Sequence, residues 1–249
     1  MPIAGRVALC AVLCCSAIAA ACSGRLLKPQ YEYEEEVYLA LDGSATLNLN
    51  ASVPALVALH GVDLPTDPRA RLDRQQVRAL FTRPGSTATL SLSRRDGRRF
   101  VHVSVQVDDV EQLSAIPPFS WSTYRLTRDS DRVDYHQLVG RSAAREVGDV
   151  GWDGSEIIAF RMHLPSEILF ENSGAGVRRG NILEWEQPLA TRLQSEPVEL
   201  RVQMAPESIL YTTLILFGST VVAAALAFAV IVWWVARRGR DRDPAESHA

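Results

Sequence analysis

Past residue 22 the chain contains no cysteine, because Cys10, Cys14, Cys15 and Cys22 all fall near the start of its 249 residues. That excludes a structural disulfide and thiol chemistry from everything downstream, even in an oxidising compartment. Lysine is almost missing: Lys28 is the single one among 26 basic residues, and the arginine excess reads as compositional bias rather than as anion recognition. Histidine is sparse, and His60, His102, His136 and His163 stand apart, with no two at the spacing of metal ligands on one helix face. There is no nucleophile elbow, phosphate loop or zinc pattern, and Gly174-Ala-Gly176 follows a strand pattern but opens no helix. The carboxylate pairs Asp108-Asp109 and Glu184 with Glu186 are neighbours in sequence, which says nothing of the geometry that an acid and a base require. The expectation is therefore no enzyme, no metal and no cofactor. Between residues 23 and 208 there are 21 basic and 26 acidic residues, and a domain of that balance is not expected to bind nucleic acid.

What the chain does have is one long apolar run. Ile209 to Val235 covers 27 residues without a charge, beyond the roughly 20 that a bilayer-spanning helix needs. Tyr211 and the pair Trp233-Trp234 sit where interfacial aromatics belong. Arg237, Arg238, Arg240 and Arg242 follow at once, so the positive-inside rule puts residues 236–249 in the cytoplasm and everything before Ile209 outside. At the other end, Arg6 precedes an apolar run from Val7, and Ala19-Ala20-Ala21 leads into Cys22, which reads as a secretory signal peptide over residues 1–21. Cys22 stands where bacterial lipoprotein processing requires a cysteine, so its acylation is the expectation. Plain secretory cleavage at the same bond and an uncleaved anchor are the alternatives. Residues 22–30 form a short tether, and residues 31–208 make one domain long enough to bury its own core.

Within that domain Tyr31 to Leu41 alternates as a half-exposed strand, with Glu32, Glu34 and Glu36 expected on a solvated or edge-protecting face. Asp42-Gly43 turns into a second strand through Leu47 and Leu49. Ser52 caps a short helix with Pro54 near its start and Gly61 as its stop, and Asp73 caps another through Phe81. Leu90 and Leu92, the Asp96-Gly97 turn and Val101 to Val107 make the clearest hairpin. A short helix through Leu113, a hairpin over residues 121–139 and four further strand patterns after Glu156 complete the chain. The pattern predicts an α+β domain with an antiparallel, strongly curved sheet and about three short helices, followed by one transmembrane helix over 209–235.

The stretch Met162-His-Leu-Pro165-Ser-Glu-Ile168, with Asn172 and Gly180-Asn-Ile-Leu-Glu-Trp185 after it, resembles the LppM-like family of bacterial envelope lipoproteins. The match covers residues 156–187 and extends to the layout of leader, lipid-attachment cysteine, single domain, C-terminal span and basic tail. That resemblance implies an exported, membrane-tethered domain that binds an envelope lipid or glycolipid. It gives a sharper meaning to the segment Val53 to Leu59, which is apolar on every side. Such a helix is either plain core or the rim of a lipid-filled cavity, and in the second case Val53, Leu56, Val57 and Leu59 are the lipid contacts. The competing expectation is a structural or interaction subunit with an envelope protein partner. Topology is open to direct measurement: in intact cells a cysteine placed at Asp96 should react with a membrane-impermeant thiol reagent and one placed at Asp243 should not, and the reverse pattern would invert the orientation.

Overall fold

The computed structural model describes residues 30–178, 180–194 and 196–240; the leader, Cys22, most of the tether and Arg242 lie outside the described residues. Ten strands form two sheets. The first four elements are the strands β1 (Gln30–Leu39) and β2 (Ala45–Ser52) and the helices α1 (Val53–His60) and α2 (Arg74–Phe81). The hairpin β3 (Ser86–Arg95) and β4 (Arg98–Val107) follows, then two short 3-10 turns, Val110–Ala115 and Pro117–Phe119. After these come β5 (Ser122–Arg128), β6 (Val133–Val139), β7 (Glu156–His163), β8 (Ser166–Glu171), β9 (Ile182–Pro188), α3 (Leu189–Leu193), β10 (Val198–Ser208) and α4 (Ile209–Arg240). A six-stranded sheet has the order β3-β4-β2-β1-β7-β9 and a four-stranded one the order β5-β6-β10-β8.

The local devices are those the sequence displays. The Ser52 hydroxyl accepts the Ala55 amide at 3.1 Å, Pro54 occupies the first turn of α1, and Gly61 closes it at φ 66°. Asp73 caps α2 by accepting the Gln75 amide at 2.8 Å. Asp96 and Gly97 both adopt positive φ, which matches the twist of a two-residue hairpin turn and sets the register Arg95 opposite Arg98.

Three expectations need correction. The sheet is not wholly antiparallel: β1 and β7 run parallel. After β4 the chain leaves the first sheet, builds β5 and β6 in the second, and returns through residues 140–155 to lie beside β1, and an alternating strand carries no mark of its partner's direction. Nor is there one sheet, because the inner faces of both feed one contiguous hydrophobic core. Finally, β1 is central rather than an edge, flanked by β2 and β7. Its register with β7 slips between Tyr31 and Tyr33, so Glu32 is an extra residue. Tyr33, Glu35, Val37 and Leu39 then face the core while Glu34 and Glu36 point outward.

Helix α1 lies against β1, β2 and β4. Among the described residues one helix, Ile209–Arg238, is long and apolar enough by length and composition to cross a membrane. Strand β10 runs into α4 with no intervening linker, and the Ile209 amide donates to the Pro165 carbonyl at 3.1 Å. The turn between β7 and β8 is thereby pinned to the first residue of the apolar helix. Leu56 is fully buried, so Leu56→Ala should cost about 2–5 kcal/mol, read as a lowered urea midpoint at unchanged slope.

Candidate functional site

The residues singled out in the sequence fall in different places. Cys22 lies outside the described residues. Val53, Leu56, Val57 and Leu59 sit in the hydrophobic core at 0 to 3% exposure, so α1 is apolar on every side because it is enclosed on every side.

A polar surface gathers instead on the outward face of the six-stranded sheet. Strand alternation brings Glu34 and Glu36 of β1 beside Arg161 and His163 of β7. Arg161 bridges two carboxylates, with its Nη1 2.5 Å from Glu34 and its Nε 2.6 Å from Glu184, and Arg178 closes on the other oxygen of Glu184. Burial works against the Arg161 charge, but hydrogen bonds to Glu34 and Glu184 outweigh it and raise its pKa. His163 contacts Glu36 at 2.6 Å and stacks on the half-open Tyr38 ring at 4.0 Å between centroids. Desolvation and the neighbouring Glu186 carboxylate push the Tyr31 hydroxyl up to about 12. Farther along the face, Asn50 donates to Glu34 at 2.6 Å, and His102 contacts Ser93 at 2.7 Å.

Two open clefts lie along this face. One of about 420 Å³ is lined by Glu34, Glu36, Asn48, Asn50, His102 and Ser104 among others. The next, of about 700 Å³, takes in Tyr38, Thr46 and Gln106. Neither is lined by a residue of the four-stranded sheet. Together they offer amides, hydroxyls, imidazole and carboxylates, a mixture of donors and acceptors with its strongest charges already paired. Ser93 and His102 have the contact of a nucleophile and a base, but among the described residues no carboxylate hydrogen-bonds His102 to orient it. No group of three or more His, Cys, Asp or Glu that could hold a metal is found among the described residues. The signal for this face was the i, i+2 placement of Arg161 and His163 opposite Glu34 and Glu36. It needed the parallel pairing to be read.

Behind the same strand lies a second polar cluster, wholly internal. Glu35 is 1% exposed. Its Oε2 accepts from the Tyr33 hydroxyl at 2.8 Å, and its Oε1 accepts from Tyr124 of β5 and Gln137 of β6, both at 2.9 Å. Gln137 in turn accepts from Tyr135 at 2.8 Å. Beside this group the His60 ring packs on Trp121 at 4.4 Å, and the Arg192 guanidinium lies over the Trp121 ring, 4.6 Å from its centroid, while donating to the Gly140 and Glu196 carbonyls. Burial, with Arg192 nearby, drives the His60 pKa down to about 3, so this imidazole is neutral.

Burial also raises the Glu35 pKa, with the hydrogen bonds from Tyr33, Tyr124 and Gln137 pulling the other way. A raised folded-state pKa means that the folded chain binds more protons than the unfolded one, so this contribution is complete below the ordinary carboxylate range and is lost as pH rises through the folded value. Urea unfolding of the parent should therefore lose stability as pH climbs from about 4, and Glu35→Gln should flatten that slope. Identical slopes would mean that Glu35 does not titrate in the window.

No family model matches the chain, and no curated protein matches it. Among solved structures, the NMR structure of the folded domain of LppM from Mycobacterium tuberculosis overlaps 73% of this chain and 94% of that one at 13% identity, with a TM-score of 0.39. A likeness at that TM-score assigns neither a family nor a ligand.

Proposed function

We propose that this protein is a non-catalytic binding module of the bacterial envelope, anchored at the cytoplasmic membrane, that takes the polar head of a lipid or glycolipid on the outward face of its six-stranded sheet. The observation that carries the reading is the pair of adjoining clefts on that face, of about 420 and 700 Å³. Volumes of this order suit a small-molecule ligand, and a surface of mixed donors and acceptors suits a hydroxyl-rich one. The direct passage of β10 into α4 supports a ligand that is itself in or near the membrane. The buried setting of Val53, Leu56, Val57 and Leu59 moves the proposed contact from an internal acyl cavity to an external head-group face. In this reading α4 spans the membrane once, the domain lies on the extracytoplasmic side, and the C-terminus is cytoplasmic. Arg237 and Arg238 lie over Trp233 and Trp234 at 5.3 and 4.5 Å, a pairing that suits the inner interface.

One observation favours an interaction subunit instead. Leu169 and Phe170 stand 55% and 48% exposed on β8, which is an edge of the four-stranded sheet. Native mass spectrometry of the full chain released from membranes separates the two. The lipid reading expects a co-purifying lipid that is lost in Asn48→Ala/Asn50→Ala with circular dichroism unchanged. Retention of that lipid in the double variant, or no lipid in either protein, would count against it, and a protein partner lost on Leu169→Ser/Phe170→Ser would favour the other.

A further inference from the structure

At the far end of the six-stranded sheet arginines from the hairpin and from the loop before α2 crowd together. The register of the β3–β4 hairpin sets Arg94 directly opposite Arg99 and Arg95 opposite Arg98, and like charges directly across a strand pair repel. The second pair is compensated: Arg98 meets Glu32 at 3.0 Å, and Arg95 lies 3.9 Å from Asp96 and over the Phe100 ring. The first pair has no salt bridge among the described residues, and its acidic neighbour is Asp67, whose carboxylate accepts the Arg69 amide at 2.8 Å and acts favourably on Arg99. Arg94 donates to the Pro68 carbonyl at 3.0 Å. Arg99, only 6% exposed, donates to the carbonyls of Pro65, Asp67 and Ala70, and its Nε is buried without a hydrogen-bond partner. Those bonds hold the loop before α2 against the hairpin, and that loop brings Arg69 and Arg71 to the same place. Arg69, Arg71, Arg94 and Arg99 line a cleft of about 470 Å³ whose other walls include Leu72 and Leu92 and whose lining includes no carboxylate residue. Burial first and the nearness of Arg94 second press the Arg99 pKa downward, against the opposing pull of the Asp67 carboxylate.

We propose that this cleft is an anion site that takes a phosphate or phosphodiester group, with Arg69, Arg71 and Arg94 as the mobile donors around a fixed Arg99. Arginine suits that ligand because its planar fork matches two phosphate oxygens at once. The cleft is several times larger than the anion alone, so the group arrives attached to something that can rest on Leu72 and Leu92. Its position identifies the source. Arg95 and Arg98 donate to the Tyr31 carbonyl and to Gln30, so the hairpin tip lies at the Gln30 end of β1. Pro165, which holds Ile209, follows the other end of the parallel pair, where Tyr38 meets His163. The eight residues between correspond to about 26 Å of strand. The phosphate is accordingly assigned to a molecule reaching the domain from outside rather than to the lipids around α4, and a tether of eight residues from an acylated Cys22 to Gln30, extending to about 28 Å, is long enough to leave this end clear of the bilayer. The site is separate from the sheet face of the lipid reading, so either can fail alone.

The test uses the full chain in phosphatidylcholine nanodiscs, titrated with inorganic tripolyphosphate by calorimetry. Saturable binding is expected at low salt, weakening as added salt screens the charges. Arg71→Gln/Arg94→Gln should weaken it about tenfold or more, while Arg125→Gln on the other sheet should leave it unchanged. Arg71 and Arg94 are exposed, so the double variant should keep the parent's circular dichroism and urea midpoint. No binding at low salt, or parental affinity in the double variant, overturns the proposal. A second arm adds phosphatidylglycerol vesicles: if the double variant loses vesicle binding while tripolyphosphate never binds the parent, the arginines read a lipid surface and the assignment to a soluble source is wrong.

Discussion

The two sheets of this domain are tied by one buried carboxylate. Glu35 comes from the central strand of the six-stranded sheet, and two of its three hydrogen-bond donors, Tyr124 and Gln137, come from the four-stranded one. A lone carboxylate in an apolar core is costly, and hydrogen bonds that hold the charged form offset part of that cost. The arrangement has a consequence for specificity. Sliding one sheet over the other by a residue would break the bonds from Tyr124 and Gln137 to Glu35 and leave those groups buried with only their same-sheet partners, so the polar knot selects one docking of two otherwise greasy faces. The apolar contacts around it, from Leu47 and Leu49 on one side to Val133 and Val202 on the other, supply most of the burial without that selectivity.

The same knot limits what can happen near it. Tyr33 serves Glu35 with its hydroxyl and presents its ring to His60 and Trp121, so helix α1 is held to β1 through aromatic contacts at its last residue. Gly140 is held equally closely: its amide donates to the Trp121 carbonyl at 2.6 Å, and an added Cβ would come within 2.7 Å of that oxygen. Its own carbonyl accepts from Arg192. This interior is committed to holding the sheets together.

Strand β1 therefore works on both faces. Inward, Tyr33, Glu35, Val37 and Leu39 build the junction of the sheets; outward, Glu34 and Glu36 pair with Arg161 and His163, and Glu34 also holds Asn50 in the first cleft. The bulge at Glu32 sets this division, since one residue more or less would exchange the two faces. The coupling continues to the end of the domain. The strand beside β1 ends at His163, the turn after it holds Ile209, and α4 begins there, so the outer face is joined to the apolar helix by backbone rather than by a loose stalk.

Much of this was legible in the residues because it depends on neighbours in the chain. The caps at Ser52 and Asp73, the Asp96-Gly97 turn and the apolar run from Ile209 are local devices, and period-two alternation located nearly every strand. Alternation also marked Glu32, Glu34 and Glu36 as one acidic row, and there the reading stopped, because neither a bulge nor a parallel partner leaves a trace in hydrophobic pattern. Glu35 looked like one more acidic residue in a run of three, and nothing within ten positions of it announces Tyr124 or Gln137. Arginine-rich composition looked like bias until a hairpin register set Arg94 against Arg99 and a loop added Arg69 and Arg71. By itself the sequence determined the elements, the caps, the turns and the apolar helix, since these are set by interactions over a few residues. Only the tertiary structure decided which strands pair, which glutamate is buried and which charges are left facing one another, because those depend on contacts between residues some thirty to a hundred positions apart.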